Sequence, residues 1–103
     1  MIHVIATVEL HEGKREAFLA EFHKLVPLVR TEEGCLEYGP AVDIETGLAS
    51  QPPVRASVVV VLEKWKNLET LKKHLQAPHM IAYRSKVKDH VVGTKLQVLA
   101  PAE

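Results

Sequence analysis

The chain lacks an excess of charge of either sign. Lysine plus arginine and aspartate plus glutamate both number 13, so the formal net charge at pH 7 is zero. Nucleic-acid grooves and anionic membrane surfaces call for a basic excess, so neither partner is expected. Only one cysteine is present, Cys35, which rules out an internal disulfide and points to a reducing compartment. The opening residues MIHVIATVEL lack the basic start and continuous apolar core of a signal peptide, and the expected location is the cytoplasm. The apolar run Val58–Leu62 is far shorter than the roughly 20 residues that cross a bilayer. Also absent are a glycine-rich phosphate loop, a dinucleotide fingerprint, a nucleophile elbow, an HExxH metal motif, repeats and linkers.

What is present reads as one domain over residues 1–103, organised around the stretch 57–83. Four valines, Val58 to Val61, and Leu62 lead to Trp65, and such a β-branched run marks a strand buried on both faces. Asn67 is a good N-cap for a short helix carrying Leu68, Leu71 and Leu75, and Pro78 starts another that extends to about Asp89. Upstream, residues 2–10 alternate as a strand, with Ile2, Val4, Ala6, Val8 and Leu10 on its thoroughly apolar face. A helix from about Lys14 to Thr31 follows. Its stripe of Phe18, Phe22, Leu25 and Val29 falls within roughly 60°, and Pro27 lies opposite, where it bends or loosens the helix without dividing it. Gly34 is a plausible C-terminal glycine, Cys35 to Asp43 a weaker edge strand, and 44–56 a long loop suited to a lid or partner contact. A last strand covers Gly93 to Leu99.

The order β-α-β-β-α(α)-β predicts an α+β fold, the ferredoxin-like sandwich with a four-stranded antiparallel sheet. Helices cover one face. The other, assigned Val58, Val60, Leu62, Val4 and Ala6, is exposed unless a second copy covers it, which predicts a homodimer with a barrel-like centre. Alternation then turns Glu63 and Trp65 toward the helices. In the last helix His79, Met80 and Tyr83 share a face, and His74 flanks the leucine stripe of the preceding helix. A pocket lined by Trp65, Glu63, His74, His79, Met80 and Tyr83, with Ile5 and Thr7 from the first strand, would suit a small planar ligand. Five of these residues also have a plainer reading. Trp65 and Tyr83 are core residues first, Glu63 a strand-end carboxylate, His79 a helix-end group and His74 a solvated flank residue. Cys35 has no motif around it and reads as a small apolar residue. His74 and His79 stand five apart across Pro78, which leaves them open as metal ligands but makes no trusted metal motif.

Glu32-Glu33-Gly34-Cys35, then Tyr38, Pro40 and Asp43, then Glu63-x-Trp65, then His74-Leu75-x-x-Pro78-His79-Met80-x-x-Tyr83 resemble the antibiotic biosynthesis monooxygenase superfamily, and within it the small bacterial quinol monooxygenases. The resemblance runs from the first strand to Leu99-Ala100-Pro101. It implies a dimeric α+β barrel and oxygenation without flavin, haem or metal, the substrates being dioxygen and a quinol or polyphenol-like aromatic. His74 or His79 is then the expected base, with Trp65 and Tyr83 orienting the ring and Glu63 tuning a histidine. Haem-degrading relatives carry Asn, Trp and a ligating His where this chain has Thr7, His74 and Arg84, so that activity is not expected. An isomerase acting on a phosphorylated autoinducer-2 derivative would need a phosphate cradle that Arg55, Lys64 and Arg84 do not visibly form. Non-catalytic binding or sensing of quinone-like aromatics is the remaining alternative.

Overall fold

In the computed structural model, which describes residues 1–103, strand β1 (Ile2–Leu10) lies inside a four-stranded sheet. Its antiparallel neighbours are β3 (Val58–Trp65) on one side and β4 (Val91–Leu99) on the other. Strand β2 (Cys35–Ala41) adds to the far side of β3, giving the order β2-β3-β1-β4. Helices α1 (Arg15–Arg30), α2 (Leu68–Leu75) and α3 (Pro78–Val87) complete the ferredoxin-like α+β topology. No helix is long and apolar enough to cross a membrane.

The faces of β3 fall as alternation dictates. Val59, Val61, Glu63 and Trp65 are buried under the helices, while Val58, Val60 and Leu62 point the other way. For β1 the expectation is corrected. Val4 and Ala6 are fully buried on the helix side, because they pair with Glu63 and Val61, and directly opposed residues share a face. The helices take the more apolar side of β1, with Val8 and Leu10 also beneath them. Ile5 opposes Leu62 and Thr7 opposes Val60 on the open side.

Helix α1 buries Phe18, Phe22, Leu25, Val26 and Val29. Pro27 sits on its exposed side and the helix continues through it as one element. At the start of α2, Asn67 Oδ1 accepts from the Thr70 amide at 2.9 Å, and the Thr70 hydroxyl lies 3.4 Å from the Asn67 amide in return. Between α1 and β2 the chain reverses at Gly34, whose φ is +81°. A β-carbon there would lie 2.4 Å from Thr70 Cγ2, so only glycine lets this turn press against α2. The Lys66 amide donates to the Gly34 carbonyl at 2.8 Å and fixes the approach.

The connection between β2 and β3 is clamped at its base. Arg55 donates from Nε to Asp43 Oδ2 at 2.8 Å and from Nη2 to Oδ1 at 2.9 Å, and this pairing holds the Asp43 carboxyl well below its usual range. Ile44, Leu48 and Val54 project from the loop into solvent.

Candidate functional site

The floor of the site is a layer of packed aromatic rings. Phe22 stacks on Tyr38 at 5.6 Å between centroids, and Tyr83 meets Phe18 and Phe22 edge-on. Tyr38 meets His74 edge-on at 5.3 Å, and His74 lies on Trp65 at 4.6 Å. Rings fixed in this way hold the His74 imidazole in one orientation. Trp65 Nε1 donates to Glu63 Oε1 at 2.8 Å, so Trp65, itself wholly buried, also fixes the carboxyl two residues before it.

Over this layer opens a cavity of about 240 Å³ between sheet and helices. Ala6, Val8 and Val61 form its sheet wall, Leu75, Met80 and Tyr83 its helical wall, and Thr94 and Leu96 of β4 its outer side. The polar groups that line it are Glu63, His74, Arg84, Thr94 and the two tyrosines, Tyr38 and Tyr83. A dry cavity of roughly 150 Å³ admits a benzene ring, so this volume suits one or two fused rings. His74 Nε2 and both tyrosine hydroxyls lack hydrogen-bond partners in the protein. None is sealed off, since His90 Nδ1 is the sole fully buried side-chain polar atom without a partner. Such groups on an apolar wall are available to a ligand.

The other ring nitrogen of His74 is committed. Glu32 Oε2 accepts from His74 Nδ1 at 2.9 Å and from His79 Nε2 at 2.7 Å, so one carboxylate oxygen joins two imidazoles. Burial lowers the His74 pKa, against the raising effect of Glu32. A neutral ring whose Nδ1 carries the proton presents an unprotonated Nε2 to the cavity. Burial pushes the Glu63 carboxyl up to about 7, with the Glu32 charge adding to it and the Trp65 bond opposing it. Both tyrosines are raised well above the ordinary phenol range by burial, so they stay protonated and can donate. Burial, then the Glu32 and Glu63 charges, also raises the Cys35 thiol.

Of the residues the sequence singled out, Glu63, His74, Met80 and Tyr83 line the cavity together. Trp65 stands behind them as a support. His79 is outside the cavity and borders a small groove between α1 and α3, with Glu32 as its link to His74. Ile5 and Thr7 face the opposite side of the sheet, for the pairing reason given above, and do not reach the cavity. None of residues 44–56 lines it either. Glu32, Tyr38 and Arg84 are the additions. Glu32 is 42 residues from His74, and no local periodicity could have joined them. No group of three or more His, Cys, Asp or Glu side chains is placed to hold a metal ion.

Residues 1–86 match the family described as "Antibiotic biosynthesis monooxygenase". The chain is 40% identical over 103 residues, 98% of each protein, to "Probable quinol monooxygenase YgiN" of Escherichia coli K12. Among solved structures, PA3566 from Pseudomonas aeruginosa superposes with a TM-score of 0.80 at 22% identity, covering 99% of this chain and 94% of that one. Rv0793 from Mycobacterium tuberculosis does so with a TM-score of 0.78 at 24% identity, covering 99% and 95%. At those identities the two structures establish the fold.

Proposed function

Because the chain belongs to the antibiotic biosynthesis monooxygenase family, we propose that it oxidises a quinol-like aromatic with dioxygen inside this cavity, without a bound cofactor. The observation that carries the reading is the His74 imidazole, held through Nδ1 by Glu32 and free at Nε2 against apolar walls, with burial lowering its pKa. Nε2 takes a phenolic proton from the quinol, and the resulting anion is electron-rich enough to pass one electron to dioxygen. Recombination of the two radicals forms a carbon–oxygen bond, and His74 returns its proton to the peroxide. One oxygen stays on the ring and the other leaves as water, so quinol plus dioxygen gives hydroxyquinone plus water. Apolar walls keep bulk water from the reactive pair, and the Tyr38 and Tyr83 hydroxyls donate to the second ring oxygen.

Glu63 is the competing base, since its pKa near 7 also suits proton transfer. Oxygen uptake with menadiol, corrected for uncatalysed autoxidation, separates the two across pH 5 to 9. With His74 as base, His74→Ala lowers kcat by about a hundredfold or more, and Glu63→Gln keeps the acid limb of the profile. Full activity in His74→Ala would end this reading. Loss of the acid limb in Glu63→Gln alone would transfer the role to Glu63.

The working form in this reading is a cytoplasmic homodimer joined through the open sheet face, where Ile5, Val58, Val60, Leu62 and Leu99 lie on one side. The protomer exposes 6880 Å², against about 5,800 Å² for a monomer of its 11.5 kDa. The excess is comparable to the roughly 800 Å² that each partner gives to a standard interface.

A further inference from the structure

The mouth of the cavity leads into a second hollow of about 270 Å³, and the two share Tyr83, Arg84 and Thr94 as common walls. Lys88, the C-cap residue of α3, lines the second hollow about one helical turn beyond Arg84. The lysine and arginine ion pairs of the chain are Lys24–Glu21, Arg55–Asp43 and Lys64–Glu37, so neither Arg84 nor Lys88 has a carboxylate partner. The Arg84 guanidinium is nevertheless held in place. It donates from Nη2 to the Leu75 carbonyl at the end of α2, beside the cavity wall, with its other N–H groups unused. Glu63 is the one acidic residue lining either hollow, and it belongs to the inner cavity alone. Two unpaired cations on one side of the mouth, with apolar walls behind, are what an aromatic ring with an acidic substituent would meet.

We infer that the substrate is a dihydroxyarene bearing a carboxylate, which Arg84, assisted by Lys88, receives at the mouth while the ring enters the cavity. This rests on the reading of that cavity as the substrate site. The planar guanidinium suits a carboxylate in a way that a point charge does not, because two of its N–H groups can meet both oxygens. An anion at this position fixes which end of the ring goes in first and so which hydroxyl meets His74. It also offsets the Arg84 charge, which lowers the pKa of His74, and the bound acid thereby strengthens its own base.

Calorimetry with redox-inert probes tests the binding step apart from turnover, with 2-naphthoate compared against 2-naphthamide. The expected result is acid binding about tenfold or more tighter than amide binding, as a charge-assisted contact supplies. Arg84→Gln should bring the two affinities together, Lys88→Gln should narrow the gap, and Arg84→Lys should keep part of it. Equal affinity for acid and amide in the unaltered protein would overturn the inference, as would a preference that survives the Arg84→Gln/Lys88→Gln double variant. In parallel, oxygen uptake is compared for 1,4-dihydroxy-2-naphthoate and 1,4-dihydroxynaphthalene. Turnover of both with no preference for the acid sinks this inference and leaves the monooxygenase reading intact. Turnover of neither, with no probe bound, sinks both.

Discussion

Glu63 and His74 respond to the same burial in opposite directions, and each leaves a measurable trace. The Glu63 carboxyl titrates at about 7 in the fold, against an ordinary value of 4.5. A raised acid pKa means that the folded state holds its proton more tightly than the unfolded chain. Stability from this group is therefore complete below about pH 4.5 and falls away as pH rises through 7. The difference amounts to roughly 3 kcal/mol once the group is ionised. Glu63→Gln should consequently be more stable than the parent at pH 8 by that order and nearly equal to it at pH 4, as urea unfolding at the two pH values would register. A constant difference across that range would contradict the assignment. Glu32 makes a second case. Glu32→Leu keeps much of the bulk of the side chain but can accept from neither imidazole, so His74 loses its fixed tautomer. We expect kcat to fall by roughly tenfold or more with a smaller change in KM, read by steady-state oxygen uptake. Unchanged kcat would leave Glu32 a structural residue only.

The element that delivers His74 is α2, and much of its placement was legible from sequence. Asn67 announces the cap, and four valines with Trp65 made the two sides of β3 readable, but the leucine spacing placed the buried face of α2 only in part: Leu71 is buried, Leu68 is exposed, and His74, read as a flank residue, lies inside. Both sides of β1 carry apolar residues, so its orientation waited on a pairing with residues nearly sixty positions away. That is why Ile5 and Thr7 were expected in the cavity where Ala6 and Val8 stand. Glu32 was hidden for the same reason, since its partners come from α2 and α3 after the sheet has closed. Gly34 is where the turn bearing Glu32 meets α2, and substitution shows what that contact supports. Gly34→Ala forces a β-carbon into Thr70 and a strained φ, costing roughly 3 kcal/mol or more and loosening the Asn67 cap. Gly13→Ala, with φ of +77° and open space around it, should cost about 1 kcal/mol. Thermal melts of the pair give the comparison, and equal losses would show that the Thr70 contact is unimportant.

At the scale of the whole molecule, the protomer is a slab of 39 × 37 × 20 Å with a radius of gyration of 14.2 Å. A compact chain of this length has a radius of about 13 Å. Its open sheet face carries Leu62, 48% exposed, at the middle of the apolar group opposite Ile5. Leu62→Asp would bury a charge between two such faces, and light scattering should then find single protomers where the parent gives pairs. Pairs in both proteins would move the interface elsewhere. The slab shape has one more consequence, in the laboratory. In the proposed homodimer the half-covered sheet draws part of its cohesion from mass action, so its melting temperature should climb with protein concentration and its specific activity should sag on nanomolar dilution. Assays run too dilute would then report a feeble catalyst when the fault lay with the unpaired halves.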